Sequence, residues 1–313
     1  MKILICGGLG QLGSDCNIVF SKGHEVLSCG SKELDITDLK AMEDKVRGFT
    51  PDIIVNCSAY TKVDACETET ERAWKVNAEG PKNIALTVKK YGGRIIHVST
   101  DYVFDGKRKP PEAYNEDDET APLSHYGRSK LEGERAVREI ADNYIIVRTS
   151  WLYGIHGPNF LKTMLRLVRE NPERQIKVVH DQFGSPTWSY RLAQQINTLI
   201  EQNCQGLYHA SSGGSCTWYE LARYFLDQLG IKYTIVPCTT EEYPTPAIRP
   251  KNSILENRNL KAGGVNVMLH WKRDIEDFVR LFKAPLIDEC DAFLRSRDVH
   301  AGQSDEEAIS KNA

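Results

Sequence analysis

The chain has 313 residues, a formal net charge of −3, 41% apolar residues and 27% charged ones. This is the balance of an ordinary globular protein, long enough for one large α/β domain or for a domain with a smaller lobe. The charge argues against a general affinity for nucleic acid or anionic membranes, and no apolar run approaches the ~18 residues of a membrane span.

The opening run Met1-Lys2-Ile3-Leu4-Ile5-Cys6 has neither the long apolar stretch nor the small-residue cleavage site of a signal peptide, so a cytoplasmic protein is expected. Residues 2–6 read as a short buried strand, and the cluster Gly7-Gly8-Leu9-Gly10-Gln11-Leu12-Gly13 follows at once. Residues 25–28 form a second apolar run. Thr37-Asp38 offers an N-cap for a helix to about Arg47, and residues 52–56 read as another buried strand. A long helical stretch covers 69–90, with a break expected near Gly80-Pro81. Two β-branched runs, 94–99 and 144–149, flank a helix over 126–140. Strands separated by helices imply parallel pairing with right-handed crossovers. The expected fold is therefore α/β, a doubly wound Rossmann-type parallel sheet with a smaller α/β substrate-binding lobe.

Beyond residue 150 the rhythm loosens. Helical signals lie at 159–170, 189–202 and 218–229, and strand-like pieces at 176–179, 207–210 and 234–236. The expected division is a dinucleotide-binding domain over 1–150, with later segments at about 175–205 returning to it. A mainly substrate-binding lobe over 151–285 and a C-terminal extension over 286–313 complete it. The polar, aperiodic stretch from about Ser296 is expected to be a mobile tail, so the extension is partly disordered. The nine cysteines are scattered with no C-x-x-C spacing, and are expected as free thiols that pack like small hydrophobes.

The glycine cluster fits G-x-G-x-x-G through Gly8, Gly10 and Gly13, and G-x-x-G-x-x-G through Gly7, Gly10 and Gly13. Between a first strand and a helix, such a turn brings backbone close to a pyrophosphate at the helix N-terminus. The end of the second strand reports on the cofactor's 2′ position. It reads Ser28-Cys29-Gly30-Ser31-Lys32, with no carboxylate to bind a ribose 2′-hydroxyl, and Ser31 and Lys32 suit a 2′-phosphate. NADPH is the expected cofactor, with NADH as the alternative.

Tyr126 and Lys130 lie four apart in a helical segment and so share one face. A ketone reductase needs a proton donor for the alkoxide that forms as hydride arrives. A tyrosine with an ammonium nearby, lowering its pKa, meets that need. Thr100 ends a predicted strand, where an open α/β sheet presents its ligand face, and its hydroxyl suits the carbonyl oxygen or the phenol. Thr100, Tyr126 and Lys130 are the expected catalytic set.

At this point the chain resembles the extended short-chain dehydrogenases, and within them the dTDP-4-dehydrorhamnose reductases. The likeness covers about residues 1–281. It rests on Gly10-Gln11-Leu12-Gly13, Leu34-Asp35-Ile36-Thr37, Asn56-Cys57-Ser58-Ala59-Tyr60-Thr61-Lys62-Val63-Asp64 and Ser99-Thr100-Asp101-Tyr102-Val103-Phe104-Asp105-Gly106. Tyr126-Gly127-Arg128-Ser129-Lys130-Leu131-Glu132-Gly133-Glu134, Arg148-Thr149-Ser150-Trp151-Leu152-Tyr153-Gly154 and Asp181-Gln182-Phe183-Gly184-Ser185-Pro186-Thr187 extend it. The resemblance implies that Gly10, Gln11 and Leu12 line the pyrophosphate, Asp35 and Ile36 the adenine, and Ala59, Tyr60 and Thr61 the cofactor's next border. Val63, Thr100, Asp101 and Trp151 would touch a nucleotide sugar, with Tyr126 as proton donor and Lys130 as its cofactor-holding partner. The implied reaction is reduction of the C4 ketone of dTDP-4-dehydro-6-deoxy-L-mannose to dTDP-L-rhamnose.

Rival readings are another nucleotide-sugar reductase or epimerase on the same scaffold, or a non-enzymatic subunit like the regulatory one of methionine adenosyltransferase. Some relatives are dimers sharing a magnesium ion through acidic clusters. Here Asp15 is present but Tyr190-Arg191 stands where further acids belong, so no metal site is expected. Nothing in the pattern separates a monomer from a homodimer.

Overall fold

A computed structural model describes residues 1–310, with side chains described to residue 296. The chain opens β1 (Lys2–Cys6), α1 (Gln11–Phe20), β2 (Glu25–Cys29), α2 (Leu39–Phe49) and β3 (Ile53–Asn56). Asp38 caps α2, its carboxylate accepting from the Ala41 amide at 3.1 Å, as the sequence leads one to expect. The long helical stretch forms without a break at Gly80-Pro81. Helix α3 (Thr70–Trp74) passes through a wide π turn (Lys75–Glu79) into α4 (Gly80–Tyr91), with Pro81 in the first turn. Proline lacks the amide a tighter register would need, and the wide turn accommodates it.

Next come β4 (Arg94–Thr100), α5 (His125–Ile140) and β5 (Tyr144–Thr149). The second half contributes β6 (Leu152–Tyr153), α6 (Phe160–Glu170), β7 (Ile176–Val179), β8 (Phe183–Gly184), β9 (Thr187–Trp188) and α7 (Ser189–Glu201). It ends with β10 (Gly206–His209), β11 (Cys216–Thr217), α8 (Trp218–Leu229), β12 (Ile235–Cys238), α9 (Arg258–Ala262) and α10 (Trp271–Ser310).

Six strands form one parallel sheet in the order β10-β5-β4-β3-β1-β2. The order turns back at β1, which opens a crevice at the strands' C-terminal ends. Alternation along the strands divides the core. Ile3, Ile5, Val55, Ile96 and Val147 pack under α1 and α7, while Leu4, Cys6, Ile54, Ile95 and Ile146 pack under α2, α4 and α5. The segments that return to the sheet are α7 and β10. Strand β7, expected among them, pairs with β12 in the lobe instead.

The lobe buries its own core between α6, α8 and α10, around Leu161, Leu165, Phe225, Leu226 and Phe278. Leu286 and Cys290 join that core, and Lys162 and Arg169 bind Glu289 and Asp291. The first part of the C-terminal extension is therefore built into the lobe. The backbone stays helical to Ser310, through most of the stretch expected to be an aperiodic mobile tail; residues 311–313 lie outside the described ones. All nine cysteines are free, and seven of them are buried, as expected of small apolar fillers. No helix among the described residues is long and apolar enough to cross a membrane.

Candidate active site

The glycine cluster forms the turn between β1 and α1. Gly7 has φ +76°, and a Cβ there would stand 2.8 Å from the Ser58 amide nitrogen, so the β1 and β3 ends close together only around glycine. Gly10 is the N-cap of α1 and makes no side-chain cap, so nothing from a side chain covers the first amides of the helix. Such amides are donors for an anionic group.

Ser31 and Lys32 are exposed at the end of β2. The structure also brings a carboxylate there: Glu33 folds back so that its Oε2 lies 2.7 Å from where a Gly30 Cβ would be. Glu33 lies one residue beyond the Ser28–Lys32 stretch. This strand end carries both a cation and an anion. Asp35 is exposed, and its carboxylate accepts from the Thr37 amide at 2.9 Å. The Ile36 side chain is buried against Gly80, so its bulk is committed to packing.

The β3 end is pinned from the π turn. Buried Asn77 accepts from the Tyr60 amide at 2.8 Å, and donates to the Tyr60 carbonyl and the Ser129 hydroxyl, each at 3.1 Å. Ser129 lies between Tyr126 and Lys130, so one amide side chain ties the Ala59–Thr61 border to the catalytic helix.

The crevice over these strand ends is a cleft of about 770 Å3. Gly10, Gln11, Leu12, Ala59 and Thr61 line it together with Thr100, Asp101, Tyr126 and Lys130. Val63 and Trp151 complete the set the sequence assigned to it. Gly7, Gly13, Ser31, Lys32, Asp35, Ile36 and Tyr60 stand outside the cleft wall.

Helix α5 starts at the Ser124 cap, whose hydroxyl accepts from the Gly127 amide at 3.1 Å, and this fixes Tyr126 in the first turn. Burial pushes the Tyr126 phenol up from its ordinary pKa, and a hydrogen bond with the Thr100 hydroxyl pulls it back. Lys130 is buried, donates to the Val98 carbonyl at 2.7 Å, and is itself lowered to about 8 by burial, with Glu134 opposing. The Thr100 hydroxyl and the Lys130 ammonium line the same cleft as the phenol.

Thr100 donates to the Asp101 carboxylate at 2.9 Å. Asp101 is buried, and burial lifts it to about 7 against the pull of nearby Ser253 and Thr100 hydroxyls. Tyr102 sets its ring edge-on to Tyr126, with centroids 5.5 Å apart.

Several cleft residues escaped sequence reasoning. Arg249 enters from the loop before α9 and binds Asp64 through both carboxylate oxygens at 2.9 and 2.8 Å. Phe160, Trp218 and Leu221 supply an apolar wall from α6 and α8. Asn159 donates to Gln11 at 3.0 Å, linking the lobe to the glycine turn. These contacts span long sequence separations, and no local spacing announces them.

The acidic residue after the turn, Asp15, is buried and accepts from the Ser189 hydroxyl, with His156 Nε2 3.9 Å away. Arg191 is paired with buried Asp274 at 3.1 Å. Among the described residues no group of three His, Cys, Asp or Glu side chains could hold a metal ion within one chain.

A family model described as the RmlD substrate binding domain matches residues 1–284. The chain belongs to that family. Within the RmlD family, a dTDP-4-dehydrorhamnose reductase of Streptomyces griseus is 39% identical over 277 residues, covering 86% of this chain and 90% of that protein. The crystal structure of a dTDP-4-dehydrorhamnose reductase from Clostridium acetobutylicum is similar with a TM-score of 0.87 and 41% identity, covering 90% of this chain and 100% of that one. Another from Bacillus anthracis, solved in complex with NADP, has a TM-score of 0.85 and 41% identity, covering 88% and 98%. The family likeness thus spans both the dinucleotide-binding sheet and the lobe.

Proposed function

We infer that this RmlD-family chain is a dTDP-4-dehydrorhamnose reductase. It uses NADPH, and NADH less well, to convert the C4 ketone of dTDP-4-dehydro-6-deoxy-L-mannose into the C4 hydroxyl of dTDP-L-rhamnose. The observation that carries this reading is the convergence of Thr100, Tyr126 and Lys130 in one cleft that also contains the glycine turn.

The residues present fit a dinucleotide. The Cβ-free approach at Gly7 and the α1 amides at Gly10, Gln11 and Leu12 would hold its pyrophosphate. Asp35, Ile36, Ser31 and Lys32 would border its adenosine end, and Ala59, Tyr60 and Thr61 its next edge. Bound there, the nicotinamide supplies hydride. Tyr126, protonated at neutral pH, gives its proton to the C4 oxygen. The Thr100 hydroxyl orients that oxygen and stabilises its developing charge. Lys130 holds ribose hydroxyls of the cofactor through its buried ammonium. Asp101, Val63 and Trp151 position the sugar nucleotide, and Arg249 supplies a cation for its diphosphate. Residues 1–150 with α7 and β10 serve the cofactor, and the lobe serves the sugar nucleotide.

The test is to follow NADPH absorbance while the protein is offered dTDP-4-keto-6-deoxy sugars and other 4-keto sugar nucleotides. Turnover of the L-mannose derivative supports the reading. Turnover of a different sugar alone, epimerisation without net NADPH oxidation, or no reaction with any of them contradicts it.

A further inference from the structure

The string Asp181-Gln182-Phe183-Gly184-Ser185-Pro186-Thr187 has no part in the chemistry above, yet it surrounds Trp151. Trp151 has φ +46°, a left-handed conformation that a bulky residue adopts only where its surroundings over-determine it. The surroundings are visible. The Thr187 amide donates to the Trp151 carbonyl at 3.2 Å, and the neighbouring Ser150 hydroxyl donates to the Ser185 carbonyl at 2.7 Å.

The indole is gripped on both faces. A Cβ on Gly184 would lie 2.3, 2.6 and 2.7 Å from Trp151 Cε2, Nε1 and Cζ2. A point nearest the fusion atom and farther from both its neighbours is over the ring face, not at the rim. Only glycine leaves room for the ring. The other face is covered by Trp218, stacked with centroids 3.5 Å apart and planes 6° from parallel. Phe160 closes on Trp218 at 4.6 Å.

One ladder sets both jaws. Gly184 pairs with Cys216 and Phe183 with Thr217, two residues and one residue before Trp218. Thr217 then starts α8 with a reciprocal capping box to Glu220, which fixes how Trp218 leaves the strand. The spacing of the two jaws is therefore held by backbone hydrogen bonds.

We propose that Trp218 and Gly184 are positioning residues for the sugar-nucleotide substrate, clamping Trp151 in its left-handed conformation so that its free rim and the Trp218–Phe160 surface form one wall of the cleft. The proposal rests on the reductase reading above and adds to it the residues that set substrate affinity. An apolar aromatic wall suits the non-polar face of a deoxy sugar. Since Gly184 and Trp218 belong to the lobe's β8–β11 ladder and α8, the clamp acts on sugar-nucleotide binding and not on the dinucleotide.

The experiment uses the full chain with Trp218→Leu, Trp218→Phe and Gly184→Ala. Circular dichroism reads the exciton couplet of the stacked indoles, which the wild type shows and all three variants lose or weaken. Trp218→Leu and Gly184→Ala raise KM for the sugar nucleotide at least roughly fivefold, the scale of a lost aromatic pair. They leave KM for NADPH within about twofold, and Trp218→Phe, which restores a ring, recovers most of the lost affinity. Leu and Ala act from opposite faces of Trp151, so if one fails to fold the other decides. Loss of the couplet with unchanged sugar-nucleotide KM overturns the proposal, and so does an equal rise in KM for NADPH. A wild type without sugar-nucleotide turnover would instead sink the reductase reading itself.

Discussion

Asp101→Asn isolates one buried carboxyl beside the reacting centre. Asp101 is 2% exposed, and its pKa is raised from 3.8 to about 7 chiefly by burial. A raised folded-state value means that the folded protein holds a proton the unfolded chain has released between those two pH values. Its stabilising contribution is full below pH 3.8 and is lost as pH rises through about 7. At ~1.36 kcal/mol per pH unit the gap is worth at most about 4 kcal/mol. Only the two units between pH 5 and about 7 fall inside the assay range, so roughly 2 kcal/mol of that gap is read there. Asparagine keeps the size and cannot titrate. With ~2–4 °C of melting temperature per kcal/mol in a protein of this class, the variant should gain roughly 4–8 °C on the wild type between pH 5 and pH 8. The assay is thermal unfolding of both ligand-free proteins across that range. Other titrating groups cancel in the difference. Parallel pH profiles would refute the assignment of a protonated Asp101.

Three further outcomes follow from the site. Lys130, lowered to about 8 by burial, loses its charge above that pH in the free enzyme; kcat/KM for NADPH should fall above pH ~8, and a flat profile to pH ~10 would remove the ammonium from cofactor binding. Lys32 and Glu33 oppose each other at the end of β2. The wild type should favour NADPH, Glu33→Gln should widen that preference severalfold, and Lys32→Ala should narrow it; a wild type that prefers NADH sinks this reading. Because Asp15 is held by Ser189 and Arg191 by Asp274, chelator should change neither turnover nor solution mass, and a loss that magnesium restores would expose a site not recognised in this chain.

The parts of the fold and site that were legible beforehand are local ones. The β1–glycine–α1 turn, the alternation of strands and helices to Thr149, and the Tyr126–Lys130 spacing depend on neighbours within a few residues. The cleft then brings Thr100 to that pair, as the position of a strand end implies. What escaped depends on distant partners. Arg249 reaches Asp64 across 185 positions, and Trp218 meets Trp151 through the β8–β11 ladder. Glu33 lies one residue beyond the strand end where a cofactor-reading carboxylate would be sought. The late helix has no counterpart among the helical signals read beyond residue 150. Its apolar face, Ile275, Phe278, Val279, Phe282, Leu286 and Cys290, was nonetheless present at helical spacing.

The most direct test of the central claim is NADPH-dependent reduction of dTDP-4-dehydro-6-deoxy-L-mannose by the wild type and by Tyr126→Phe. The phenylalanine keeps the ring that packs against Tyr102 and removes the proton. The wild type should form dTDP-L-rhamnose with consumption of one NADPH, on the account that Tyr126 closes the reaction. The variant should bind NADPH as before and lose at least about 10²-fold in kcat, the usual scale of general acid catalysis. Near-normal turnover by Tyr126→Phe, or a wild type that leaves this ketone untouched, would contradict it.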